Sequence, residues 1–364
     1  MRVAQRTISR NYLNSLNNTL GKRAEALRRS EDGLRFTKLS DDVASGARAM
    51  DTQEMRYAAV QQKNTAEELL KELESVWTSI GTGDSIIQDV ADKMKEAAGV
   101  RSEEKLAVIK QQIGALKEQY LQVLNTPYGG KYLFGGTNNA SAPFTTSEEG
   151  KLMFNGVEVN KIYKSGGKYY EMAGAAPDPD VDVLVPQSGK IYLDVGLGLG
   201  VGTDGVDPRT AFQVNVVGLE IAGFMDFIPE FKLDDNYDGP QDKDEYEAQM
   251  NKLNNIYDLI SEVEKSISPV YEDQKLSDLQ QRLITMNDTM RMARTDVDTR
   301  ANSLENIINQ LEDDISGMEK LEDSLMTAQP AGEAIHLKDI EYSWKAILAL
   351  GSQILPSSLL DYLR

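Results

Sequence analysis

Residues 276–328 read LSDLQQRLITMNDTMRMARTDVDTRANSLENIINQLEDDISGMEKLEDSLMTA. Within this stretch Leu276, Leu283, Met290, Val297, Leu304, Leu311, Met318 and Leu325 are eight consecutive positions at a spacing of seven. A companion column reads Leu279, Met286, Ala293, Arg300, Ile307, Asp314, Leu321 and Ala328, and six of those eight are apolar. A sustained seven-residue period keeps one stripe on one side of a helix and commits it to packing along its length with left-handed supercoiling. At 1.5 Å per residue, about fifty residues make a rod of roughly 75 Å. A compact enzyme rarely needs such a helix. The eight residues of the first column are the expected rod core. The two polar interruptions, Arg300 and Asp314, are expected to face a polar groove or to fix register.

Helical spacing extends outward on both sides. Upstream, Met250, Leu253, Ile256, Tyr257, Ile260, Val263 and Ile267 form one stripe, ended by Pro269. A helix over about 42–97 is strongly periodic in its second half, through Leu73, Val76, Ile80, Ile87, Val90, Met94 and Ala97. Ser40, Asp41 and Asp42 are its N-cap candidates. Ser102 opens a further helix with Leu106, Ile109, Ile113, Leu116, Tyr120 and Val123 on one face, closed by Pro127. Downstream, Gln329-Pro330-Ala331-Gly332 ends the long helix.

Both chain ends carry thinner apolar stripes. Leu13, Leu20, Leu27 and Leu34 sit seven apart with Leu16 beside them, and Gly33 interrupts. Arg23 and Ser30 stand where a second apolar column would be. At the other end Ile340, Trp344, Ile347 and Ile354 share a face, and Leu359 and Leu363 follow Pro356. Such helices bury little alone and need partners. They are expected to pair with each other or with neighbouring subunits, so these residues form the predicted assembly interface.

Between about 127 and 225 the period changes to two. Phe154-Asn155-Gly156-Val157 is a hairpin signal, because Asn-Gly accepts the positive φ angles of a type I′ turn. Ser165-Gly166-Gly167 suggests a second hairpin. Ser188-Gly189, between Val181–Val185 and Ile191–Leu193, suggests a third. Residues 226–247 hold nine acids and two lysines and read as an exposed connector, rising into a helix near Tyr246.

Composition narrows the function. The 364-residue chain carries a net charge of -19, which argues against a nucleic-acid partner. Nine basic against three acidic residues give the first forty residues +6, which leaves -25 on the remainder. A basic end and an acidic body favour end-to-body contact between copies. Cysteine is absent, so disulfides, thiol catalysis and cysteine metal sites are excluded together. No stretch reaches eighteen apolar residues, so no transmembrane helix or membrane insertion is expected. A conventional signal peptide is not expected either.

No catalytic constellation emerges, and no cofactor or metal is expected. His336 is the single histidine, and a triad or metal site usually needs more. The run Gly196-Leu197-Gly198-Leu199-Gly200-Val201-Gly202 has neither dinucleotide nor P-loop spacing and reads as a bend after a strand. The acidic 234–247 stretch lacks EF-hand spacing.

Three stretches resemble one family. Asp32-Gly33-Leu34-Arg35-Phe36 with Ser40-Asp41-Asp42-Val43-Ala44 is similar to the amino-terminal signature of bacterial flagellins and their hook-associated relatives. Ser357-Ser358-Leu359-Leu360-Asp361-Tyr362-Leu363-Arg364 resembles that group's ending. Tyr132-Leu133-Phe134-Gly135-Gly136-Thr137, followed by Ala142-Pro143-Phe144, looks like the segment leaving the helical arm in its hook–filament junction branch.

The resemblance implies a mainly α fold with a β-rich insertion. This is a long antiparallel helical bundle or coiled-coil rod, flagellin-like, carrying a small β domain, with termini disordered in the monomer. The expected domains are a 1–42 assembly segment, a 43–126 rod arm, a 127–245 β-rich insertion with its acidic connector, a 246–330 rod arm and a 331–364 assembly segment. The implied role is structural and extracellular, in the flagellum. The implied partners are other copies of the chain, hook-associated protein 1, flagellin, an export chaperone and the type III export apparatus. Termini that order only on assembly suit passage through a narrow channel, and a helical array requires heterologous contacts. A filament subunit of the same fold is the nearest alternative. A cytosolic coiled-coil adaptor would account for the heptads but not the ends, and an enzyme in the β insertion is the remaining class.

Overall fold

The computed structural model describes residues 2–36, 38, 40–100, 102–137, 140–173, 182–195, 201–202, 205–206, 211–226, 255–267 and 273–354. Among the described residues the helices are α1 (Arg2–Asp32), α2 (Val43–Ala98), α3 (Glu103–Leu124), the single turn α4 (Leu219–Ala222), α5 (Ile256–Ser266), α6 (Asp273–Met326) and α7 (Pro330–Ile354). Among the described residues thirteen short strands lie between α3 and α5. The chain divides into two compact units, Gln62–Asn309 and the combination of Met1–Gln61 with Gln310–Arg364.

Local chemistry sets the helix ends. Asp42 is the N-cap of α2 and accepts from the Ser45 N–H at 3.1 Å. Those hydrogen bonds to Ser45, then the Arg35 charge, hold its carboxyl below the ordinary carboxylate value. Ser102 precedes α3 in extended conformation, and Glu103 and Glu104 in the first turn complement the helix dipole. Asn255 caps α5 by accepting from the Asp258 N–H at 2.8 Å.

The Gln62–Asn309 unit holds the contiguous apolar core. On α2, Leu73, Val76, Ile80, Ile87, Val90 and Met94 are each no more than 2% exposed. On α6, Leu283, Met290, Val297 and Leu304 are no more than 1% exposed, and Leu276 is also buried. Burying each such side chain contributes about 1.5–3 kcal/mol. The two helices run antiparallel here. Asp84 of α2 accepts from Asn287 Nδ2 at 2.8 Å and Arg291 Nε at 2.9 Å, whereas Trp77, further back along α2, meets Arg294, further on along α6. Arg300 pairs with Asp296 and donates to the Asn215 main-chain carbonyl at 3.4 Å, so this polar interruption in the companion column faces a loop of the β region.

The β region has two larger sheets. One is β3 (Phe144–Thr146), β4 (Leu152–Phe154) and β5 (Val157–Glu158); the other runs β13 (Met225–Asp226), β6 (Ile162–Ser165), β7 (Lys168–Glu171), β8 (Val183–Leu184). Three two-stranded pairs accompany them: β1 (Pro127–Tyr128) with β2 (Lys131–Tyr132), β9 (Tyr192–Leu193) with β12 (Phe212–Gln213), and β10 (Val201–Gly202) with β11 (Gly205–Val206). The β4–β5 hairpin turns on Asn155 at φ 48 and Gly156 at φ 90, as the Asn-Gly pair predicts. Gly166 and Gly167, both at positive φ, join β6 to β7. The third expected hairpin does not form. β8 pairs with β7, and β9 pairs with β12. Pro186 has no N–H to continue a ladder, and Gln187 turns at φ 62 with its carbonyl accepting from Thr137 N at 2.8 Å. The chain is thereby led away before Ile191. Residues 196–200 and the acidic 227–254 stretch lie outside the described residues.

Buried polar contacts fasten the β region to the helices. Tyr120, fully buried on α3, donates its hydroxyl to the Ile221 carbonyl at 3.0 Å, and burial pushes its ionisation far up. Asp258 of α5 is 5% exposed. Its carboxylate accepts from Leu152 N at 3.1 Å, Asn160 Nδ2 at 2.6 Å and Asn255 Nδ2 at 2.9 Å. Tyr257 beside it packs against α3 near Glu118; burial, then that carboxylate, push its phenol up to about 12.

In the other unit burial is sparse. Leu311 and Ala328 are buried, Met318 and Leu325 half-buried, and Leu321 is 50% exposed. Arg56 of α2 pairs with Glu322 of α6 at 3.0 Å. Among the described residues no helix is long and apolar enough to cross a membrane.

Candidate assembly site at the terminal helices

The two chain ends meet as an antiparallel helix pair. Arg23 of α1 pairs with Glu341 of α7 at 3.7 Å, and its guanidinium carbon lies 4.6 Å from the centre of the Trp344 ring. A cation over an indole face contributes about 0.5–1 kcal/mol at an exposed site and more when desolvated. Ala26 is 2% exposed and Ile340 9%. Nearer the ends, a Cβ added to Gly351 would lie 2.0 Å from the Tyr12 hydroxyl, so any larger residue there displaces the Tyr12 side chain.

The base of the pair is stapled by main chain. Gly33, at φ 68, closes α1 by donating its N–H to the Arg29 carbonyl at 3.0 Å. This is the left-handed glycine cap. Its own carbonyl then accepts from Ala328 N at 2.9 Å, and Arg35 N donates to the Met326 carbonyl at 2.8 Å. Leu34 and Thr327 therefore form an antiparallel bridge between the α1–α2 and α6–α7 junctions. Phe36 is buried beside it, and Arg35 reaches Asp42 at 3.3 Å. The stretch Gly33 to Val43, singled out by resemblance, thus has physical work: a helix stop, a bridge and the next helix start.

The predicted interface residues separate into groups. Ile340, Trp344 and Ile347 are buried or half-buried on α7. Leu16 and Leu34 are half-buried. Leu13, Leu20 and Leu27 remain 50%, 40% and 38% exposed. Leu359 and Leu363, and the side chain of Ile354, lie outside the described residues. Sequence reasoning passed over Tyr12, Arg23 and Ala26, the residues α1 turns toward α7. Arg23 breaks the apolar pattern, yet it is the partner of Trp344. The signal available was its polarity opposite an aromatic residue at the far end of the chain.

A groove of about 530 Å³ between α1 and α7 is lined by Lys22, Arg29, Glu25, His336 and Asp339, among others. The single histidine lies at this rim. Among the described residues no cluster of three or more His, Asp or Glu could hold a metal.

The fold has a solved counterpart. A protein of Vibrio parahaemolyticus assigned as flagellar hook-associated superposes with a TM-score of 0.54 at 14% identity, over 79% of this chain and 100% of that one. The two chains share a fold. FlgL of Bacillus cereus aligns over 77% of this chain and 100% of its own at 14% identity, with a TM-score of 0.37. Flagellar hook-associated protein-3 of Legionella pneumophila aligns over 79% and 98% at 11% identity, with a TM-score of 0.38. No protein-family model and no curated protein matches the sequence.

Proposed function

We propose that this chain is a structural subunit of the bacterial flagellum, the hook-associated protein 3 that joins hook to filament. The observation that carries the proposal is the leucine column of α1. Leu13, Leu20 and Leu27 recur every seventh residue, yet pairing with α7 leaves them 38–50% exposed. Fully burying a leucine contributes about 1.5–3 kcal/mol, so three leucines left partly in water are a standing drive toward association. A column of this kind on a terminal helix suits a subunit that joins its neighbours through its ends. The shared fold with a hook-associated protein and the signature residues at the α1–α2 junction support the same reading.

In this role the chain is exported through the type III apparatus with a chaperone and has no catalytic activity. It assembles with its own copies between hook-associated protein 1 and the first flagellin subunits, outside the cell. Gene deletion tests it. The expected outcome is intact hooks, no filaments and flagellin released into the medium. Normal filaments on the deletion strain contradict it, and bare hooks with no secreted flagellin point instead to a filament subunit.

A further inference from the structure

We infer that the bridge between Leu34 and Thr327 is a clasp: closing it lays α1 on α7, and opening it frees both terminal helices together. The device lies within one compact unit of the chain, and it holds for the free subunit whatever that subunit joins. Its two sides are unequal. Three residues, 327–329, lead from α6 into α7, so α7 starts close to a fixed point. Ten residues, 33–42, separate α1 from α2, and Gly33 opens them in the left-handed conformation at φ 68. A link of that length leaves α1 many directions, and choosing one costs conformational entropy.

The clasp supplies the missing constraint. Ala328 N donates to the Gly33 carbonyl at 2.9 Å, and Arg35 N donates to the Met326 carbonyl at 2.8 Å. Phe36 and Ala328 are buried at this junction, and Arg35 reaches Asp42, the cap of α2. With the junction closed, α1 and α7 meet as neighbours, and most of the loop-closure cost of joining the two chain ends is already met. Side chains alone hold the pair loosely. Among the described residues of α1, Ala26 alone is fully buried. Arg23 Nε, Glu333 Oε2 and Trp344 Nε1 are buried without a hydrogen-bond partner among the described residues, and each such atom weakens the pair. The signature stretch that begins at Asp32 therefore controls a contact made up to twenty residues away from it.

The two hydrogen bonds make Leu34 and Thr327 a non-hydrogen-bonded antiparallel pair. Cα atoms in such a pair lie about 4.5 Å apart, which a disulfide can span. Because the chain has no cysteine, Leu34→Cys with Thr327→Cys gives one defined lock. Arg35→Pro removes the donor to Met326, whereas Arg35→Ala keeps that donor and removes only the ion pair with Asp42. Hydrogen exchange is followed on the full-length chain. In Arg35→Pro the amides of 2–32 and 330–354 are expected to exchange about ten-fold faster, in step with each other, while those of 283–304 keep their protection. Arg35→Ala is expected to stay near the parent. Oxidising the cysteine pair in an Arg35→Pro background is expected to restore protection to both helices, and a reductant to remove it again. Terminal amides unchanged in Arg35→Pro, loss in α1 with α7 still protected, equal loss in Arg35→Ala, or an oxidised lock that slows neither helix overturns the clasp. If Arg35→Pro also loses protection over 283–304, the lock in the parent background decides: slower exchange of both helices on oxidation supports the clasp, and no change overturns it.

Discussion

Arg23 and Trp344, 321 positions apart in the chain, form the centre of the terminal helix pair, with the guanidinium carbon 4.6 Å from the ring centre. The contact is polar on one side and aromatic on the other, and it is flanked by few buried residues. Replacing Arg23 by Ala is expected to weaken the pair by about 1 kcal/mol. Hydrogen exchange provides the check. Amides of 2–32 and 330–354 are expected to exchange faster, while those of 283–304 keep their protection. Uniform protection in all regions would mean that the pair does not depend on this contact.

Gly351 offers a second test of the same pair. Gly351→Ala places a methyl group where the Tyr12 phenol lies, and overpacking of this kind costs about 1–3 kcal/mol. Adding Tyr12→Ala removes the obstacle. Hydrogen exchange of α7 is expected to rise in the single variant and to fall back toward the parent level in the double variant.

Position along α6 decides the cost of a charge. Leu304 is fully buried, so Leu304→Asp buries an unpaired carboxylate and is expected to cost several kcal/mol, read as a lower denaturant midpoint. Leu321 belongs to the companion column of the same seven-residue pattern but is 50% exposed. Leu321→Asp is expected to stay within about 0.5 kcal/mol of the parent.

The repeat was legible from sequence, whereas the burial along it was not. A period of seven identifies the stripe, but the number of neighbours covering each level depends on α3, α5 and the β region, which surround only the Gln62–Asn309 stretch. The same limit applies to α1. The leucine column was the visible pattern, but Tyr12, Arg23 and Ala26 face α7, because a thin stripe does not say which flank a partner takes. Two hairpins were readable, since Asn155-Gly156 and Gly166-Gly167 carry their turn geometry in their residue types. The third was misplaced because Pro186 diverts the strand.

Asp258 belongs to the part that sequence could not disclose. Its partners Leu152 and Asn160 lie about a hundred residues upstream, and no local pattern links them. Asp258→Ala removes an acceptor from the Leu152 N–H and from the Asn160 and Asn255 amides, of which Asn255 keeps its hydrogen bond to Asn160 Oδ1 at 2.7 Å. The expected loss is about 1–3 kcal/mol in thermal or denaturant unfolding. Asn160→Ala, combined with it, is expected to add less than its separate effect because the two share one network.

Asp84 sets an acid limit on stability. Burial pushes its carboxyl up, but hydrogen bonds from Asn287, Arg291 and Gln88 outweigh that and hold it below the ordinary value. A carboxyl with a lowered folded-state pKa stabilises the protein above its unfolded pKa, and that contribution is lost as pH falls through the folded value. Asp84→Asn is therefore expected to reduce stability at neutral pH and to flatten its decline below about pH 4. Parallel acid profiles for parent and variant would remove Asp84 from this role.

Electron microscopy of a deletion strain complemented with Leu20→Asp tests most directly whether the exposed leucines of α1 join subunits. Since Leu20 is 40% exposed, the purified variant is expected to melt within about 0.5 kcal/mol of the parent. Cells carrying it are expected to show hooks without filaments. A correctly folded Leu20→Asp protein that restores full-length filaments would contradict assembly through this column.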